Sequence, residues 1–434
     1  MNSILKIILI FFFINNCSFN SNSKFWTKET SIKKEIISAN KKVLFVKEKV
    51  PQKELNPELK IKLKFGDTFN NSLSETNNDS IIDFSGQLKK ISKYKFSKIK
   101  YFEQFQPEII FHNDHLIFFD NKGSIIKFDE NSKLIWKKNY YNKQEKKYHP
   151  ILFFGKNKTT LIVVDSISKY YAINIKSGEI LWTKYNNAPF ISDVKIHEDK
   201  FFVMDSNNVL SCISTIDGSL IWQHKSENNI IKSIKKLSIV IDKKKVIFNN
   251  SVGDVSALNI KNGNLLWIAA TTDKQSSVKP FLLKLSKLVV NENSVLFSNN
   301  NDQFYSVSLE TGFNNWTQNI NSYLRPVVIN DLIITVTMEG YLVVIDKPTG
   351  NIIRITDIFD RFKKKKRNKI KPVGFIVGIN NLFLSTDSGK LLVIDFLTGK
   401  TKSILKIDNN KISRPFVSNK NLYLVKDDSI IKLN

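Results

Sequence analysis

Ser177-Gly178-Glu179-Ile180-Leu181-Trp182 is followed along the chain by Asp217-Gly218-Ser219-Leu220-Ile221-Trp222, Asn262-Gly263-Asn264-Leu265-Leu266-Trp267 and Thr311-Gly312-Phe313-Asn314-Asn315-Trp316. Each phrase sets a Gly in a polar turn and a Trp four residues beyond it. A weaker copy, Asn131-Ser132-Lys133-Leu134-Ile135-Trp136, precedes them, and two copies follow without the Trp: Thr349-Gly350 with Arg354 and Thr398-Gly399 with Ser403. Successive tryptophans from Trp136 to Trp316 are 46, 40, 45 and 49 residues apart. That period fits one four-stranded propeller blade and suits no α-solenoid as well.

The rest of each repeat reads as strand. Leu332 to Thr337, then Met338-Glu339-Gly340, then Tyr341 to Asp346 is a hairpin of β-branched and aromatic residues around a turn. Equivalent turns recur at Asp120-Asn121-Lys122-Gly123, Asp205 to Asn208, Asn250 to Gly253, Asn299 to Asp302 and Asp387-Ser388-Gly389, residue types that accept positive φ or form Asx turns. Repeats open on a Pro, at Pro107, Pro150, Pro189, Pro280, Pro326, Pro372 and Pro415, a position that need not donate to a central ladder. The double-length gap between Pro189 and Pro280 holds one blade without its Pro, starting near Ile234. Eight blades result.

The eighth, from Pro415, has chain for only three strands. The alternating run Lys90 to Ile99 lies just before the first Pro, with Tyr94 thirteen residues ahead of Pro107 as Trp267 is ahead of Pro280. This strand is expected to complete the last blade, with Tyr94 in the Trp role, closing the ring and removing open sheet edges. The fold class is therefore all-β, an eight-bladed propeller closed by an N-terminal strand.

The N-terminus reads as an address. A basic start through Lys6, an apolar stretch Ile7 to Ile14 and then Cys17 form a secretory signal too short to span a bilayer. Cys17 resembles the lipidated Cys of a bacterial lipobox, with Ile14 at the aliphatic position and Asn16 departing from the usual small residue; the alternative is an incidental Cys in a secreted protein. Ser18 in place of Asp favours the outer membrane, by the same resemblance. Residues 1–16 are read as signal peptide, 17–86 as a lipid-anchored polar tether and 87–434 as the propeller. Treated as flexible coil, the tether would span on the order of 45 Å. Within it Leu59 to Phe65 alternates like a strand and docks either on the propeller or on a partner. The other Cys, Cys212, leaves no disulfide framework and reads as a small buried hydrophobe.

The 434 residues carry a formal charge of +26, spread through almost every repeat instead of forming one basic face with interleaved aromatics, and export removes nucleic acid as a partner. The exception is Arg361-Phe362-Lys363-Lys364-Lys365-Lys366-Arg367-Asn368-Lys369, between the sixth and seventh blades. It is either a solvated inter-blade loop or a contact for anionic headgroups or an acidic protein surface. Arg361, Lys363, Lys364, Lys365, Lys366 and Arg367 are its candidates. Catalytic signals are missing: no Gly-x-Ser-x-Gly, Cys-x-x-Cys or phosphate-binding loop occurs, and His112 and His115 flank a repeat turn. No catalytic, cofactor-binding or metal residue is assigned. The recurrent Trp reads as a packing anchor between blades.

The phrase from Ala172-Ile173-Asn174 to Trp182, and again from Ala257-Leu258-Asn259 to Trp267, resembles the pyrroloquinoline-quinone (PQQ) type propeller repeat over about Lys90 to Asn434. Two families carry this repeat on eight blades. Quinoprotein dehydrogenases bind PQQ with calcium; this chain lacks their adjacent-Cys pair and their inserted calcium-binding stretch. It is more similar to BamB, the lipoprotein subunit of the outer-membrane β-barrel assembly machine. That resemblance implies a lipid-anchored, monomeric, non-catalytic propeller at the periplasmic face of the outer membrane, whose partner is that machine. The family's Leu-Arg-Gly and Asp-rich partner loops are replaced here by Ile230 to Ile234 and by Thr272 to Pro280. Leu324-Arg325-Pro326 echoes the first of them at another junction, so Leu324 and Arg325 are candidate partner contacts.

Overall fold

The computed structural model describes residues 53–63, 76–79, 82–104, 107–227, 235–271 and 283–434. The signal stretch, Cys17, residues 230–234 and 272–280, and the end of the Leu59 to Phe65 run lie outside the described residues. Eight sheets of four antiparallel strands follow one another in meander order. Their inner strands begin at Ile110, Leu152, Lys195, Ile239, Val289, Val327, Pro372 and Phe416, for blades 1 to 8 respectively. The blade without an opening Pro is the fourth, with its inner strand at Ile239–Asp242. Helix is confined, among the described residues, to one turn of 3-10 at Glu145–Tyr148 and a short helix at Lys364–Arg367.

Four of the five hairpin turns singled out in the sequence are pinned by their leading Asp or Asn, and the fifth, Asp387-Ser388-Gly389, by Thr386, whose Oγ1 accepts from the Lys390 amide. Asp120 Oδ1 accepts from the amides of Lys122 and Ser124, and Asn250 Oδ1 from those of Val252, Gly253 and Asp254. The middle strands are buried on both faces, as in Leu161 to Val164 and Leu342 to Ile345. Such continuous apolar runs are what a strand stacked between two neighbouring blades requires.

The ring closes as expected. The strand Lys90–Lys95 runs antiparallel to Ser429–Leu433 and supplies the outer strand of blade 8. Its register corrects the Tyr94 equivalence. In seven blades the outer strand carries one extra residue just before the Trp position, so that Ile173 faces Ile180, Ala172 faces Trp182, and Leu181 bulges. In the closing strand the bulge falls at Ile91 and puts Ser92 opposite Lys432, in the Trp place. Tyr94 stands two residues further on the same face, and its hydroxyl still reaches the Glu130 carbonyl of blade 1 at 3.0 Å.

The tryptophans are inter-blade anchors. Trp136, Trp182, Trp222, Trp267 and Trp316 each donate the indole N–H to a carbonyl in the last turn of the following blade, at 3.0–3.2 Å. The ring lies against the Gly of that turn. A Cβ on Gly218 would sit 2.7 Å from the Trp182 ring, and Gly218 has φ +71°. The Gly-Trp phrase is thus two halves of one joint: each Gly receives the Trp of the blade before it.

Three parts of the stretch read as tether lie on the propeller, one of them, residues 76–79, at its axis. Leu55 pairs with Ile355 on the outer edge of blade 6 through both backbone bonds, 3.1 and 2.9 Å, and Ile61 and Leu63 pack against the core of blades 6 and 7. Residues 82–88 run over blades 7 and 8, where Phe84 is buried against Phe383. A flexible coil is not a description of these residues, because their backbone and apolar groups have partners.

Candidate functional site

Three features could do work: the propeller axis, the basic loop and the outer rim. The axis gathers charge that the sequence scatters. Inner strands converge there, so Glu108 of blade 1 meets Lys287 of blade 5, Lys236 of blade 4 at 3.6 Å and Arg414 of blade 8 at 3.6 Å. Asp193 of blade 3 accepts from Lys236 at 2.7 Å and Lys287 at 3.1 Å. Burial alone would raise the pKa of Glu108, but Lys236, Lys287 and Arg414 hold it well below the usual carboxylate range. Asp193 is held low in the same way by Lys236 and Lys287. Burial pushes the Lys195 ammonium down to about 8 and, with Arg414 adding repulsion, the Arg325 guanidinium to about 9.

Residues 76–79 fill part of this axis. Asn78 is buried; its Nδ2 donates to the Leu288 carbonyl at 2.9 Å, its Oδ1 accepts from Lys195 Nζ at 2.7 Å and its carbonyl from Arg325 at 2.8 Å. Thr76 and Asn77 add carbonyls to the Ile241 and Val290 amides. A cavity of about 140 Å³ remains beside Asn78, Glu108, Asp193 and Arg414.

Calcium needs several carboxylate and carbonyl oxygens turned to one point. Here the carboxylates of Glu108 and Asp193 are engaged by ammonium and guanidinium groups, leaving Asp193 Oδ2 as one buried oxygen without a hydrogen bond. Among the described residues no group of three or more His, Cys, Asp and Glu is placed to hold a metal. The described residues of the axis do not fit a quinone-calcium centre.

Of the residues singled out in the sequence, Leu324 and Arg325 are brought inside. Leu324 belongs to the buried cluster of blades 6 and 7 and Arg325 holds Asn78, so neither offers its side chain to a partner. The basic run is outside: Lys363, Lys364, Lys365 and Lys366 are exposed on the short helix and its cap. Arg361 donates to the Lys402 carbonyl at 2.8 Å, and Arg367 pairs with Asp357, so these two fasten the loop while the lysines face solvent. Phe362 anchors it, stacked edge-on against Phe359. Cys212 is fully buried, and burial pushes its thiol up to about 12, which makes it inert.

Sequence reasoning missed the axial cluster. Its members sit singly beside the blade openings, as Glu108 follows Pro107 while Arg325 and Arg414 precede Pro326 and Pro415; a charge adjoining an opening Pro was the available signal.

Comparison with known proteins agrees with this architecture. Residues 121–356 match the family described as outer membrane protein assembly factor BamB. An uncharacterised protein of Rickettsia conorii is 22% identical over 82% of this chain and 88% of its own. The crystal structure of BamB from Moraxella catarrhalis superposes with a TM-score of 0.66 at 14% identity, covering 80% of this chain and 99% of that one. Quinohemoprotein alcohol dehydrogenase from Comamonas testosteroni shares the fold at 8% identity, with a TM-score of 0.61 over 82% of this chain and 78% of its own.

Proposed function

The chain belongs to the outer membrane protein assembly factor BamB family, and from that premise we propose that it is a non-catalytic scaffold for the assembly and insertion of β-barrel proteins into the outer membrane. It works at the periplasmic face, held by lipid on Cys17, as a single propeller within a larger complex. The observation that carries the reading is the family match across the Gly-Trp repeats, combined with an axis whose carboxylates are committed to lysine and arginine. Work is left to the surface. The exposed lysines 363–366 are its candidate contact for acidic protein or anionic headgroups.

Affinity purification from detergent-solubilised envelope tests the proposal: subunits of the β-barrel assembly machinery should co-purify, and isolation of the chain alone would contradict it. Cys17→Ala should abolish fatty-acid labelling and move the protein to the soluble periplasmic fraction. The competing reading, a PQQ-dependent dehydrogenase, requires tight binding of PQQ with calcium to the purified protein.

A further inference from the structure

On the outer strands of blades 1 to 4 the two residues before each Trp are apolar and open to solvent. Leu134 and Ile135, Ile180 and Leu181, Leu220 and Ile221, and Leu265 and Leu266 are each between 43% and 54% exposed. The second member of every pair is the bulge residue, pushed outward because it has no partner in its own sheet. Eight large apolar side chains at the same two positions on four consecutive blades form a repeated surface, unlike isolated exposed residues.

Blade 6 shows what such an edge accepts. Its pair, Ile352 and Ile353, is partly covered because the chain's own residues 54–63 lie along it. Leu55 makes the two-way backbone pair with Ile355, and Asn56 Nδ2 donates to the Ile353 carbonyl at 3.1 Å. Acidic groups flank the contact: Glu54 accepts from the Asp357 amide at 3.0 Å and Glu58 pairs with Lys400 at 3.2 Å. The bulge that usually blunts an edge does not prevent pairing on this blade. Edges 1 to 3 carry an exposed lysine at or next to their last residue, Lys138, Lys184 and Lys225, which complements the same flanking acids.

We propose that the outer edges of blades 1 to 4 are docking sites for extended polypeptide segments that alternate apolar residues and carry acidic flanks, bound by backbone pairing of the kind that joins Leu55 to Ile355 on blade 6, where Arg354 adds a hydrogen bond to Leu59. The backbone supplies the ladder, the bulge pair supplies apolar contact, and the lysines select against basic segments. The proposal rests on the scaffold reading only for the source of such segments, which would be unfolded β-strands of client proteins. Binding to the purified chain is independent of that source.

The test uses the full chain and a fluorescein-labelled peptide of its own residues 53–63, followed by anisotropy. In the variant, the four pairs become Asn-Asn, the natural sequence of blade 5, where Trp316 still docks on Gly350. Wild type should bind the peptide, and the variant should bind about tenfold or more weakly. A peptide with Glu54→Lys and Glu58→Lys should also bind more weakly. Equal affinities of wild type and variant, or wild-type binding no stronger than to a scrambled peptide, would overturn the proposal. If thermal unfolding shows the variant to be misfolded, Ile180→Asn with Leu181→Asn alone should lower peptide stoichiometry, and unchanged stoichiometry overturns it equally. Failure here with intact co-purification of assembly subunits would remove the docking sites and leave the scaffold.

Discussion

The joint between blades 2 and 3 and the joint between blades 6 and 7 solve one problem with different chemistry. At the first, Trp182 lays an indole on Gly218 and donates once, to Thr215. At the second, Arg354 occupies the Trp place opposite Val344 and is fully buried. Its guanidinium donates to the Phe396 and Leu397 carbonyls of blade 7 and to Leu59 of the docked segment, at 2.7–2.9 Å. Burial lowers its pKa to about 10, partly offset by Asp395. A turn carbonyl that needs one donor can therefore take a ring or a fork. The fork has donors to spare, and the extra donor recruits the N-terminal segment.

Removing the side chains separates the two joints. Arg354→Ala removes three hydrogen bonds, leaving the Leu397 carbonyl only the Ile61 amide, and opens a cavity, so a loss of about 3–5 kcal/mol is expected. Trp182→Ala, at a partly exposed ring with one hydrogen bond, should cost about 2–3 kcal/mol. Chemical denaturation of the two variants decides it: a Trp182 loss equal to or larger than that of Arg354 would break the comparison.

Both joints were visible in the sequence to different degrees. The phrase around Gly178 and Trp182 gave period, blade count and the anchoring role, since a ring and a Gly recurring at fixed spacing have few other uses. Arg354 appeared only as a missing Trp, because its partners, Leu59 and Leu397, are remote in sequence and their backbone carbonyls carry no residue signature. Thr76 to Asp79 was unreadable for a related reason: a polar, aperiodic tetrapeptide looks like tether until the axis supplies Lys195 and Arg325 to bind it. The closing strand was legible from its alternation, but its register was set by the bulge at Ile91, which no spacing from Pro107 reveals.

A smaller effect is expected at the receiving Gly. Gly218→Ala forces a left-handed residue and brings Cβ against the Trp182 ring, at a cost of about 2 kcal/mol. Combining it with Trp182→Ala should recover part of that cost, since the ring is no longer there to collide; strictly additive losses in a double-mutant cycle would deny the joint.

A pH-dependent effect is expected at a buried cation of the axis, Lys195, whose pKa of about 8 compares with about 10.4 in an unfolded chain. Between these values the unfolded chain keeps the proton and the folded one releases it. This residue therefore adds stability as pH rises from about 8 to about 10. The stability of wild type relative to Lys195→Gln should increase over that interval, and a flat difference would mean that the axis does not depress this lysine.

The most direct measurement of the central claim is depletion of the protein in its own cells, with quantitation of folded β-barrel proteins in the outer membrane. A scaffold of barrel assembly predicts that folded barrels fall and unfolded barrel precursors accumulate in the periplasm, with dye-linked alcohol oxidation unchanged. Normal barrel content together with loss of quinone-dependent oxidation would contradict it.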